Sequence, residues 1–176
     1  RKSLSKKAFN KLSLTTGTPD VHRCQEANGM VSGYLAASGN KVSDVAMIIA
    51  SSNADVASFN EQVRRQLFPD KEDVTKGDKL VVVMNCVVDG VGLNNGDLVY
   101  VTQVGRAPES RSVTLRSKNS STGKVEETEV PLQFRDVQIG FRTPGGEVVR
   151  ANVTIVESLL YSNHPNLSSD ETKALY

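Results

Sequence analysis

The sequence predicts an α+β chain, with a partial α/β segment followed by a small antiparallel β-barrel. Three observations carry this reading. Met47–Phe68 reads as a buried strand, a polar turn and a helix. Beyond Gly77 the apolar period changes from about 3.6 to about 2, the mark of a switch from helix to strand. Several short strand-like runs then follow at close spacing, which suits a barrel.

The elements follow in order. To about Gly39 the chain reads as helical: Leu4, Ala8 and Leu12 recur at i, i+4 and i+8. Gly17-Thr18-Pro19-Asp20 interrupts them, and Val21, Cys24, Val31, Tyr34 and Leu35 resume an apolar stripe. Gly39-Asn40 is a natural helix stop. Val45–Ala50 is apolar on both faces, as in a strand buried between helices in a largely parallel sheet. Ser51, Ser52 and Asn53 form a turn. A helix then runs from about Ala54 to Phe68, with Val56, Phe59, Val63 and Leu67 on one face, and Pro69-Asp70 ends it. Asp70–Gly77 is a charged linker. Predicted strands are Lys79–Asn85, Asp97–Gln103, Ser112–Arg116, Val125–Val130, Phe134–Phe141 and Glu147–Val156. Asn95-Gly96 is a tight-turn signal, since both residues tolerate positive φ. Val87–Leu93, with Gly90 and Gly92, reads as a mobile loop, and Ser168–Tyr176 as helix.

With 176 residues the chain holds one medium domain or two small ones, and its 38% hydrophobic share is enough for a core. A net charge of +1 gives no global field toward nucleic acid. Residues 1–19 are locally basic, with Arg1, Lys2, Lys6, Lys7 and Lys11 and no acid. Such a run can touch a phosphate backbone or be a solvated helix face. Cys24 and Cys86 fit neither a metal site nor a redox pair, and His22 and His164 are the only histidines, which argues against zinc. The two cysteines suit a reducing compartment or carry no signal at all, and a cytoplasmic location is expected. No apolar run approaches a membrane span and no signal peptide is visible, so no membrane partner is expected. The first residue is not Met, and Tyr176 stands inside a helical pattern, so both ends read as cuts through a longer protein.

Motifs of catalysis are absent from the sequence. There is no GxxxxGK[ST] phosphate loop, no GxSxG and no HExxH, so neither ATP hydrolysis nor any other catalysis is expected of the chain alone. The candidates are polar groups that could meet a nucleic acid. Ser52 and Asn53 follow the predicted strand at a helix N-terminus, where short donors and free N–H groups suit phosphate; they could equally cap the helix. Asn60 shares a helix face with Val56 and Val63, so it bonds neighbouring backbone or faces a ligand. Arg64 could grip phosphate through two N–H groups or pair with a carboxylate such as Asp70. Asn85 ends one predicted strand and Asn95 sits in the next turn, with strand capping and turn chemistry as their plainer roles. Tyr100 and Phe134 offer stacking surfaces or core.

Ile49-x-x-Ser52-Asn53-x-x-Val56-x-x-x-Asn60-x-x-Val63-Arg64 resembles motif IV of superfamily 1 DNA helicases of the RecD-like group. Gly77-Asp78-Lys79-Leu80 through Asn85, then Leu93-x-Asn95-Gly96-Asp97, resembles the start of the SH3-like barrel (2B) inserted in the second RecA-like motor domain (2A) of those enzymes. The resemblance covers about residues 45–105 well, residues 106–176 only in general shape, and residues 1–44 hardly at all. It implies a helicase moving 5′ to 3′ on single-stranded DNA. Residues 1–74 would be a helical arm and the strand-helix part of RecA-like 2A, 75–157 the SH3-like barrel, and 158–176 a return helix. Ser52, Asn53, Asn60, Arg64, Asn85 and Asn95 would lie on or near the DNA track. ATP and Mg²⁺ would act in the parent protein, and the remaining motor domains of the same chain would be partners. The alternative reading is a stand-alone β-barrel interaction module that binds protein or RNA.

Overall fold

The computed structural model describes residues 27–118, 124–162, 164 and 166–176. It is α+β, with two antiparallel sheets. Its elements are α1 (Ala27–Ser38), α2 (Asn53–Leu67), β1 (Lys79–Val81), β2 (Cys86–Val88), β3 (Val91–Leu93), β4 (Leu98–Val104), β5 (Glu109–Lys118), β6 (Val125–Arg142), β7 (Val148–Val156), α3 (Glu157–Leu160) and α4 (Ser169–Leu175). The apolar repeat at Leu4, Ala8 and Leu12, together with Val21 and Cys24, lies outside the described residues.

Helix α1 stops where Gly39 and Asn40 take positive φ, and Asn40 N–H closes on the Leu35 carbonyl at 2.8 Å. Val31, Leu35 and Ser38 of this helix are buried. Helix α2 begins at the Ser52 cap, whose Oγ accepts from Asp55 N at 3.1 Å. Arg64 and Arg65 in its last turn complement the negative end of the helix dipole.

Between these helices the expected buried strand does not form. Among the described residues nothing pairs with 45–50, and Val45, Met47 and Ile49 are about four-fifths exposed (81%, 78% and 81%). The alternate residues Ala46, Ile48 and Ala50 are half-buried. A parallel-sheet strand is stable only with hydrogen-bonded neighbours on its edges, and none of the strands among the described residues offers one.

The larger sheet runs β1-β4-β6-β5, with β7 on the other edge of β6. Strand β6 is its spine. The predicted strands Val125–Val130 and Phe134–Phe141 are one 18-residue strand, despite Pro131. Pro131 faces Ser112 of β5, and β7 joins β6 only from Phe134 onward. The missing N–H therefore interrupts no ladder on that side. Along one edge of β6 lie β4 and then β5, joined by a bend at Gly105. Gly105 N donates to the Asp136 carbonyl at 2.7 Å, and a Cβ there would stand 2.7 Å from that oxygen, so only glycine allows the approach.

The first part of β6 and β5 make a two-stranded ribbon from Glu109↔Phe134 to Lys118↔Val125. Helix α3 packs on β6 and α4 on both ribbon strands, and the alternate residues Val130 and Leu132 are buried. The main core gathers Val74, Leu93, Val99, Val101, Val137, Ile139, Phe141 and Ala151. Burying each Val, Leu, Ile or Phe here is worth about 1.5–3 kcal/mol. Among the described residues the pairing is open, since β1 bonds only β4 and β7 only β6.

Two further expectations change. Lys79–Asn85 is strand only through Val81. Val87–Leu93 is not a loop but most of a hairpin, β2–β3, turned by Asp89 and Gly90, both with positive φ.

Candidate nucleic-acid interface

The residues singled out by sequence fall into separate places. Ser52 and Asn53 are exposed at the start of α2. Ser52 Oγ also donates to Asp55 Oδ2 at 2.7 Å, so its hydroxyl is engaged in capping. Asn60 is exposed rather than turned onto a buried stripe, because α2 has no buried residue.

Arg64 gives up its whole guanidinium to the chain itself. Nε donates to Asp78 Oδ1 and Nη2 to Asp78 Oδ2, both at 3.2 Å. Nη1 reaches the carbonyls of Lys71 and Glu72 at 2.5 and 3.1 Å, and Nη2 that of Asp73. A guanidinium has five N–H donors, and all five are used. The carboxylate partner is Asp78 rather than Asp70, and Asp78 is itself buried and accepts from Thr75 N at 2.7 Å. Arg64 thus folds the 69–78 linker around itself and has no donor left for phosphate.

Asn85 and Asn95 are brought together: Asn85 Oδ1 accepts from Asn95 N at 2.7 Å. With Asp97 Oδ2 on Asn94 N at 2.7 Å and Gly96 at positive φ, this completes the turn before β4. Phe134 lies where β5, β6 and β7 meet, with the Arg111 guanidinium 5.8 Å from its ring centre.

Tyr100 is placed differently. Strand β4 alternates, with Val99 and Val101 buried and Tyr100 and Thr102 only partly so. Tyr100 pairs with Lys79 on β1 and Gly140 on β6, and Gly140 pairs with Arg150 on β7. Directly opposed residues in antiparallel pairs share a face, so Lys79, Tyr100, Gly140 and Arg150 form one row across four strands. An open groove of about 630 Å³ lies along it, lined among others by Asp44, Tyr100, Thr102, Gly140, Arg142 and Arg150. The row sets an aromatic ring beside a floor without a side chain, with a cation on either flank. Such an arrangement can stack a base and hold phosphates.

Asp44, on the stretch after α1, reaches into this groove. Its carboxylate accepts from Lys79 Nζ through Oδ1 and from the Tyr100 hydroxyl through Oδ2 at 2.7 Å. The hydrogen bonds from Lys79 and Tyr100, with the Arg142 charge, hold the Asp44 carboxyl below the usual carboxylate range. Burial and the bond to Asp44 push the Tyr100 phenol up. Lys79 Nζ lies 5.5 Å from the Tyr100 ring centre, a cation–π contact.

Sequence reasoning passed over Asp44, Lys79, Arg142 and Arg150. Period-two alternation through Leu98–Val104 already puts Tyr100 opposite the core face, and that was the available signal. The cross-strand partners become visible only with the register. Among the described residues no group of three or more His, Cys, Asp or Glu is placed to hold a metal ion, and no helix is long and apolar enough to cross a membrane. No protein-family model and no curated protein matches the chain.

Proposed function

We propose that this chain contacts and guides single-stranded DNA as a segment of an ATP-dependent DNA helicase of the RecD-like superfamily 1 group. The observation that carries the reading is the Lys79–Tyr100–Gly140–Arg150 row, an aromatic residue between two cations on one sheet face. Lys79 and Tyr100 of this row lie in the stretch that resembles the SH3-like barrel of those enzymes, and Gly140 and Arg150 lie where that resemblance is of general shape alone. In this reading 27–74 belongs to RecA-like 2A, and α3 and α4 lead back toward it. The exposed Ser52 and Asn53 at the α2 N-terminus offer a second phosphate contact. ATP and Mg²⁺ belong to the motor parts of the parent protein; this chain has no phosphate-loop pattern to hold them, and its own chemistry is binding without catalysis.

The exposed apolar side chains of Val45, Met47 and Ile49 favour a protein partner as well. The remaining motor domains of the same chain are the partner proposed. A stand-alone protein-binding module is the competing reading that this same feature supports.

Fluorescence anisotropy of a short labelled single-stranded DNA tests the proposal, at low and high salt and with duplex as competitor. Salt-sensitive binding that prefers the single strand is expected, with a shallow salt slope because few phosphates are met. Binding that is absent, or equal for duplex, overturns it.

A further inference from the structure

We infer that Asp44 occupies the place of a DNA phosphate, so that a bound single strand displaces it and detaches residues 44–50 from the sheet. This rests on the single-strand reading of the groove and adds its regulation.

The argument starts from the donors. Lys79 Nζ and the Tyr100 hydroxyl both point at one anionic group, the Asp44 carboxylate. Two donors converging on two oxygens of one anion, with Arg142 close enough to lower its pKa, is the pattern that receives a phosphodiester. The groove is lined by Asp44 and Asp97 and by Arg142 and Arg150, and Lys79 reaches its edge through the pair with Asp44. Withdrawing Asp44 leaves three cations facing one carboxylate, and Asp97 is already engaged with Asn94 N.

The attachment is also weak enough to exchange. The Asp44 side chain is 69% exposed, and an ion pair of that exposure contributes little. On the neighbouring residues, Val45 and Met47 are exposed and no strand pairs with 45–50 among the described residues. Asp44 is thus the polar tether of this stretch to the sheet. Lys79 meanwhile stands over the Tyr100 ring. A phosphate that draws Lys79 away uncovers the ring for a base, so that phosphate capture and stacking happen together.

The experiment measures anisotropy of labelled single-stranded DNA with the wild-type chain, Asp44→Ala and Asp44→Ala/Lys79→Met, each first checked for an unchanged circular dichroism spectrum and melting curve. Amide signals of 45–50 are followed by NMR during the same titration. Asp44→Ala is expected to tighten binding about two- to fivefold at low salt. The double variant is expected to lose that gain, and DNA is expected to shift the 45–50 signals of the wild type. Wild-type binding with no gain in Asp44→Ala, or with weaker binding, overturns the displacement while the single-strand reading stands. No binding by either form overturns both. Equal competition by tripolyphosphate and by an oligonucleotide of the same charge overturns the single-strand assignment and leaves a free-phosphate site.

Discussion

Arg64 of α2 and Arg135 of β6 close on the same residue, Asp73. Arg64 Nη2 takes its main-chain carbonyl and Arg135 Nη2 its carboxylate at 3.2 Å. Around this point Arg135 Nε donates to Glu157 Oε1 at 2.7 Å, and the Tyr161 hydroxyl accepts from Val74 N at 2.9 Å. Helix, linker, sheet and α3 are therefore joined through two guanidinium groups.

Replacing Arg64 by Ala leaves the buried Asp78 carboxylate with Thr75 N as its remaining donor and takes the guanidinium from three linker carbonyls. The expected loss is about 1–3 kcal/mol of stability, read as a lower urea midpoint. Since the guanidinium has no spare donor, DNA affinity of the folded variant should stay within about twofold of wild type. A large affinity loss with unchanged stability would return Arg64 to the DNA track.

The pair Arg135–Glu157 is more deeply buried, with side chains 8% and 2% exposed. The hydrogen bond to Glu157, against the effect of burial, holds the guanidinium charged more firmly than usual. Glu157 Oε2 has no hydrogen-bond partner among the described residues. Arg135→Met alone should cost about 3–5 kcal/mol, because it strands a buried carboxylate. Adding Glu157→Leu should recover much of that, because the second charge goes too. Thermal melts of the two variants decide it: a double variant no more stable than the single one contradicts this account.

The Asp44 clasp has a pH window. The Asp44 value is depressed, so the stability it contributes is present above the usual carboxylate range and is lost as pH falls through the depressed value. Burial lowers the Lys79 value, but the bond to Asp44 and the nearby charges outweigh it, and the net shift is upward. The Lys79 contribution is thus present below the usual lysine range and lost as pH rises through the raised value. Tyr100 ring signals in NMR should stay constant between those limits and move only at the acid and alkaline ends. In Asp44→Ala the Tyr100 phenol should ionise at lower pH than in the wild type, because the hydrogen bond to Asp44 and the Asp44 charge no longer raise it and only burial does. Identical Tyr100 titrations in the two proteins would contradict the contact.

Gly105→Ala places a methyl 2.7 Å from the Asp136 carbonyl, against backbone that cannot turn aside. About 1–3 kcal/mol of destabilisation is expected, with the β4–β5 bend distorted. An unchanged denaturation midpoint would show that the bend relaxes freely.

Helix α2 and strands β4 and β7 were legible in the sequence because local signals suffice for them. Ser52 caps, Pro69 stops, and Val99 and Val101 alternate with Tyr100. The β2–β3 hairpin was obscured by Gly90 and Gly92, although Asp89-Gly90 is itself a hairpin signal. Val125–Val130 and Phe134–Phe141 read as two strands, and their continuity through Pro131 depends on β6 having a single strand partner there. Val45–Ala50 has the composition of a buried strand, but composition does not supply hydrogen-bonding neighbours. At the candidate site, the Arg64 contacts are mostly to main-chain carbonyls, which carry no sequence signature. The Lys79–Tyr100–Gly140–Arg150 row depends on registers between residues up to about forty positions apart, Tyr100 and Gly140 being the most distant pair.

The spine strand β6 sets an order of opening. From Phe134 to Arg142 it is paired with β7, and for part of that length with β4 on its other edge, whereas 125–133 has β5 alone. Amide hydrogens should therefore exchange with solvent fastest toward Val125 and slowest near Val137–Gly140, along one unbroken backbone. The ribbon can fray from its tip without disturbing the sheet that carries Tyr100, and the same strand makes the central sheet the last part of the molecule to yield.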